Sequence, residues 1–189
     1  MLRTLNEDKE MYYNIIEIEL SRIEQISSEL LTLAKPNSDN RSSRNIVQII
    51  DEVKMLFTST SNMKSIEINL QTSEEELFIY CEVTKFKQVF INLIKNAIDA
   101  MNNGGSITIK VMKVEENVQV QIIDQGCGIP KILLDKIGEP FYTTKEKGTG
   151  IGLMVCYQII DSHKGTIHVK SQVDIGTTFT ITLPISKED

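Results

Sequence analysis

At 189 residues the chain suffices for one domain of ordinary size with a short appendage, and 41% hydrophobic against 24% charged residues allows a buried core. A net charge of −6, with no cluster of Lys and Arg interleaved with aromatics, disfavours nucleic acid as a partner, and no apolar run approaches the ~18 residues of a membrane span. The 3 cysteines, Cys81, Cys127 and Cys156, are odd in number and far apart, and Met1 to Glu7 lacks the apolar core of a secretory signal, so reduced thiols, a cytoplasmic location and no membrane contact by this segment are expected.

Residues 1–34 carry Leu2, Leu5, Tyr12, Ile16, Ile23, Ile26, Leu30 and Leu33 at heptad spacing, interrupted by Lys9 and Glu19. That is the pattern of a long amphipathic helix, and no later helix of similar length offers to cover its stripe. The stripe is expected to meet another chain, for example in a homodimer through residues 2–33. The polar stretch 35–43 contains the first proline, Pro36, and reads as a linker, which divides the chain into 1–36, a linker at 37–45, and a domain at 46–189.

Apolar residues recur at helical spacing over 46–57 and 85–101, whereas 65–70 and 77–81 alternate with the period of a strand. Asn102-Asn103-Gly104-Gly105 turns the chain into a strand at 106–114, and Glu115-Glu116-Asn117 turns it again into 118–123. A helix ending near residue 162 precedes strands at 165–171 and 176–184. This order predicts an α+β fold, a two-layer α/β sandwich with a mixed sheet, preceded by a long N-terminal helix.

Several short blocks within this frame carry possible chemistry. Asn92 and Asn96 are four apart, so on a helix their amides share one face and reach one ligand; two solvent-facing asparagines are the plain alternative, although Asn is a mediocre helix former. Asp124 ends a strand and precedes Gly126 and Gly128. A carboxylate there can accept from an exocyclic amino group while the glycines let backbone pass close to a flat base, and the plain alternative is a common Asp-x-Gly turn.

Gly148-Thr149-Gly150-Ile151-Gly152-Leu153 opens a helix, where backbone N–H groups make an anion site. The polar segment before it, with Phe141, Tyr142, Thr143, Thr144, Lys145 and Lys147, suits a lid, from which Lys145 or Lys147 could neutralise phosphate charge. The 2 histidines, His163 and His168, lack neighbouring metal ligands; His163 is expected to serve a helix C-terminus, with Gly165 as its cap.

Taken in this order, the blocks resemble those of the catalytic ATP-binding domain of bacterial sensor histidine kinases, and the resemblance covers residues 46–185. Asn92 and Asn96 match the family's asparagine box, Asp124, Gly126 and Gly128 its first glycine box, and Pro140-Phe141 with Thr143-Thr144-Lys145 its phenylalanine box. Gly148, Gly150 and Gly152 match the second glycine box, and Gly176-Thr177-Thr178-Phe179 the last. The wording Asn-Ala-Ile-Asp-Ala-Met and Phe-Tyr-Thr-Thr-Lys is nearest the nitrogen-regulator and sporulation-kinase branches.

The resemblance implies the Bergerat fold shared with gyrase, heat-shock chaperone and mismatch-repair ATPases, with ATP and Mg²⁺ as cofactors. It implies Asp124 on the adenine amino group, Asn92 and Asn96 at Mg²⁺ and the phosphates, and the 148–153 loop with Thr149, Ile151 and Leu153 under the triphosphate. Phe141, Thr143, Thr144, Lys145, Lys147 and Thr178 join the nucleotide site, and Asn92, Asn96 and Lys145 are the expected catalytic set.

Relatives that hydrolyse ATP carry a Glu where this chain has Asn92, and a neutral amide cannot take a proton from water, so transfer to a protein acceptor is expected. The family's acceptor motif, His followed by an acid and then Asn or Thr and Pro, does not occur. Residues 1–34 instead look like the second helix of the acceptor hairpin, with the first helix and any sensor missing. A histidine-bearing hairpin on the parent protein or a partner, and a response regulator, are the implied partners. A regulatory nucleotide-binding module without kinase activity and an anti-sigma-type serine kinase are the alternatives.

Overall fold

The computed structural model describes residues 40–143, 145 and 148–186, together with positions between 9 and 31 that are all helical. Leu2, Leu5, Leu30, Leu33 and the linker positions 35–39 lie outside the described residues. The elements are β1 (Ser42–Asn45), α1 (Ile46–Leu56), α2 (Thr58–Met63), β2 (Ile66–Thr72), β3 (Phe78–Cys81), α3 (Val83–Ala100), β4 (Gly105–Val114), β5 (Asn117–Ile123), α4 (Lys131–Leu134), α5 (Gly152–Ser162), β6 (Thr166–Gln172) and β7 (Gly176–Pro184).

Alternation along the strands sets the layers. A five-stranded sheet runs β2-β4-β5-β7-β6, with β2 parallel to β4 and the remaining pairs antiparallel. In this register Ile109 faces Ile122, which faces Phe179, while Val111, Val120 and Ile181 form the next row. These residues are buried on one face, so Lys110, Gln121 and Thr180, one residue out of phase, belong to the other. That second face is only half-covered, as expected for a sheet with helices on one side.

Helix α3 fills the covered face. Phe86, Val89, Phe90, Leu93, Ile94, Ala97 and Ile98 recur at three- and four-residue steps and are all buried. Helix α1 adds Ile46, Ile49, Ile50 and Val53, and α5 adds Val155, Cys156, Ile159 and Ile160, closing one continuous core. The expected mixed two-layer sandwich is therefore present. Ile26, assigned to the heptad seam, packs against this core, while Tyr12, Ile16 and Ile23 are exposed.

The structure departs from the expected elements in places where long-range partners decide. Residues 42–45, assigned to the linker, form β1, which pairs antiparallel with β3 from Ser42 opposite Cys81 to Asn45 opposite Phe78. Asn45 then caps α1: its Oδ1 accepts from the backbone N–H of Val47 at 3.0 Å and of Leu77 at 3.3 Å, and its Nδ2 donates to the Glu75 carbonyl. The short helices α2 and α4 were not anticipated.

At the C-terminus of α5 the left-handed residue is Lys164, with φ of 58°, and not Gly165. Gly165 donates its N–H to the Ile160 carbonyl and lies against β7, where a Cβ would sit 2.7 Å from the Thr182 carbonyl oxygen. His163 is buried edge-on to Phe86, with ring centroids 4.9 Å apart, and its Nδ1 lies 2.7 Å from the Ile159 carbonyl. Burial lowers its pKa, so it serves the helix end as a neutral donor rather than as a cation.

Candidate functional site

Asp124 directly follows β5 and is only 6% exposed, a position few carboxylates occupy without a partner. Its Oδ1 accepts from the backbone N–H of Gly126 at 2.9 Å and of Thr177 at 3.1 Å, so these bonds leave Oδ2 uncommitted. Burial raises its pKa, opposed by those two N–H donors. The arrangement fixes the carboxylate in place and keeps one acceptor oxygen for something else.

The loop around Asp124 is braced from β6 and β7. Ser171 Oγ accepts from the Ile129 N–H at 2.8 Å, donates to the Gly176 carbonyl at 2.9 Å and lies 3.0 Å from Thr177 Oγ1. Gly176 has a φ of 137° and touches the strand end so closely that a Cβ would sit 2.0 Å from the Asp124 carbonyl oxygen, so only glycine fits.

One face of α3 forms the floor. Asn92, Asn96 and Ala100 are spaced at four-residue steps and span about 12 Å of helix axis, enough to lay a nucleotide lengthwise. At one end, Asn92 Nδ2 donates to the Gly152 carbonyl at 3.0 Å, joining α3 to the first turn of α5. In the middle, Lys145 Nζ donates to Asn96 Oδ1 at 2.8 Å and pairs with Asp99 Oδ2 at 3.0 Å. At the far end the loop after Asp124 rests on Ala100, whose carbonyl accepts from the Cys127 N–H at 3.1 Å.

The remaining expected residues fall into three groups. Gly126 and Gly128 flank Cys127 in the loop beside Ala100, and Gly148, Thr149, Gly150, Ile151, Gly152 and Leu153 lead into α5, with Thr149 Oγ1 accepting from the Ile151 N–H at 3.3 Å. Thr143 Oγ1 accepts from the Lys145 N–H at 3.1 Å. Phe141 stands apart, exposed and left-handed at a φ of 62°, packed at its backbone so tightly that a Cβ on Gly150 would sit 2.4 Å from its carbonyl carbon. Thr144 and Lys147 lie outside the described residues.

Thr178 lies apart from the other expected residues. It pairs with Ile123 and Lys170 out of phase with Phe179 and Ile181, so it belongs to the sheet face away from α3, while Thr177 is buried beside Asp124. Thr177, Ser171 and Asp99 were missed. The first two were legible as polar residues in phase with Phe179 and Val169; nothing in the spacing pointed to Asp99.

The donor set suits a magnesium nucleotide. Nδ2 of Asn92 is committed to Gly152, which leaves an amide oxygen for a cation, and Asn96 Oδ1 already holds a positive group, the Lys145 ammonium. Hard oxygen donors few in number match a metal that keeps several waters and takes the rest from phosphates. Among the described residues no group of three or more His, Cys, Asp and Glu could hold a metal, and no helix is long and apolar enough to cross a membrane.

Residues 81–187 match the family described as histidine kinase-, DNA gyrase B-, and HSP90-like ATPase. Sporulation kinase A of Bacillus subtilis (strain 168) is 44% identical over 185 residues, which cover 97% of this chain and 30% of that kinase. The chain thus spans about a third of the length of this curated relative. The solved catalytic domain of histidine kinase ThkA is 36% identical with a TM-score of 0.70, covering 77% of this chain and 95% of that one. Histidine kinase ThkA in complex with the response regulator protein TrrA is 35% identical with a TM-score of 0.79, over 93% of this chain and 51% of that one. With the family matched across residues 81–187 and 95% of a solved histidine kinase catalytic domain covered at 36% identity, the chain belongs to the histidine kinase-, DNA gyrase B- and HSP90-like ATPases as the ATP-binding catalytic domain of a histidine kinase.

Proposed function

We propose that this domain binds Mg-ATP along the α3 face and transfers the γ-phosphoryl group to a histidine on a helical hairpin outside this chain. The observation that carries the reading is the run of Asn92, Asn96 and Ala100 on one helix face, with Gly152, Lys145 and the Asp124 loop against successive turns. In this reading Asp124 Oδ2 accepts from the adenine amino group, the 148–153 loop and α5 N-terminus hold phosphates, and Lys145 meets the γ-phosphate. Residues 1–36 are the second helix of the hairpin, 37–41 the linker, and the kinase domain begins with β1 at Ser42 and runs to 189. This segment acts on the cytoplasmic side, whether its parent is free or membrane-anchored, pairs as a homodimer through residues 2–33 and passes its phosphoryl group to a response regulator.

Bound Mg²⁺ supplies charge neutralisation across the phosphates. The chain's own contribution is positioning. Asn92 braces α3 to α5 and, being an amide, does not activate water, so the γ-phosphoryl group waits for a stronger nucleophile presented in line.

Incubating the chain with γ-labelled ATP, Mg²⁺ and a separately produced histidine-bearing helical hairpin tests this reading. Labelled hairpin with little released phosphate is the expected result. Measurable Mg-ATP binding with no label on the hairpin would instead identify a regulatory binding module.

A further inference from the structure

We propose that Asp99 makes nucleotide binding metal-dependent: with Asn96 it forms a two-oxygen cation position for which the Lys145 ammonium and the metal of a bound nucleotide compete. The inference rests on the nucleotide reading of the α3 face and adds a positioning residue to it. Asp99 follows Asn96 by three residues, so on α3 both side chains project from adjacent turns of one face. Their oxygens converge on one positive group, with Lys145 Nζ 2.8 Å from Asn96 Oδ1 and 3.0 Å from Asp99 Oδ2. The ammonium therefore marks a point where a cation is coordinated by an amide oxygen and a carboxylate oxygen, the donor types magnesium takes.

Stability does not account for this pair. The side chains of Lys145 and Asp99 remain 41% and 38% exposed, and an ion pair so open to solvent contributes little to folding. A carboxylate is also an unfavourable neighbour for a triphosphate unless a cation stands between them. Asp99 repels a metal-free nucleotide and at the same time holds Lys145 away from its phosphates. With a metal on the phosphates both effects would reverse: Asn96 Oδ1 and Asp99 Oδ2 would hold it, the Asp99 carboxylate would become an attractive partner, and the Lys145 ammonium would be free to turn toward the phosphates.

The test is the affinity of a fluorescent non-hydrolysable ATP analogue, titrated in Mg²⁺ and in EDTA, for the wild-type chain, Asp99→Asn, Asp99→Glu and Asp124→Asn. Asp99→Asn is expected to bind the metal-free analogue about tenfold more tightly than wild type and to lose at least that factor from the ratio between the two conditions. Asp99→Glu keeps the wild-type ratio, and Asp124→Asn weakens binding in both conditions while leaving the ratio intact. An unchanged ratio in Asp99→Asn, or weaker metal-free binding, overturns the inference while the nucleotide reading stands. A wild-type chain that binds the analogue in neither condition overturns both.

Discussion

Burial raises the pKa of Asp124 above the usual 3.8, with the Gly126 and Thr177 N–H donors opposing, so ionisation runs against the preference of its surroundings. The sign follows from linkage: the folded state binds the extra proton, so this group's contribution to stability is present at low pH and is lost as pH rises through the raised pKa. Ionising the buried carboxyl carries a cost, and the proposed recognition of an adenine amino group accounts for a carboxylate at this position. Asparagine retains an oxygen to accept from Gly126 and Thr177 but places a donor where Oδ2 stood. Asp124→Asn should therefore weaken binding of an adenine nucleotide by about 10- to 100-fold while the ligand-free melting temperature holds or rises. Calorimetric titration and thermal melting of the same preparation check both halves.

His163 titrates in the opposite sense. Its pKa is lowered by burial below 6.5, with the Ile159 carbonyl partly opposing, so its contribution is present above that pH and is lost as pH falls through the lowered value. Denaturant unfolding of the wild type should show stability declining below pH 6.5 with a slope of at most about 1.4 kcal/mol per pH unit from this group. In His163→Gln the slope should flatten, and an equally steep variant would show that the loss arises elsewhere.

Among elements, β1 and the start of α1 show how a short segment gains structure from a distant one. Asn45 serves two N–H groups with one oxygen, and one of them, that of Leu77, lies 32 positions away. Asn45→Ala should cost about 1–2 kcal/mol, more than an isolated cap because Leu77 also loses its partner; the denaturation midpoint measures it. The sequence Ser42-Ser43-Arg44-Asn45 has no alternation and became visible as a strand only through pairing with β3. By contrast β4, β5, β7 and α3 were legible to within a few residues, because one buried face imposes its period on each.

The site divides in the same way. Asn92, Asn96, Asp124 and the glycines before α5 were readable because each lies at an element boundary or on a helix face with characteristic residue types. Thr177 and Thr178 are adjacent in one motif, and only the phase set by Phe179 separates the buried one from its neighbour. Asp99 was invisible because its partner, Lys145, is 46 residues away and no local spacing joins them.

At the scale of the whole molecule, the helical positions between 9 and 31 leave Tyr12, Ile16 and Ile23 exposed while Ile26 meets the core. An exposed apolar stripe of this kind is expected to drive self-association. Sedimentation should show a weak, concentration-dependent dimer that Ile16→Asp with Ile23→Asp abolishes, and a strictly monomeric wild type at high concentration would contradict it.

The central claim is that Asp124 and the α3 face form one adenine-nucleotide site. Adenine presents an amino group to a carboxylate oxygen, whereas guanine presents a carbonyl at the same ring position, so two acceptors would oppose each other. The direct measurement is competition of Mg-ATP and Mg-GTP for the wild-type chain preloaded with a fluorescent ATP analogue. Displacement by ATP at least about tenfold more effective than by GTP is the predicted result; equal displacement by both, or none by ATP, would contradict the assignment.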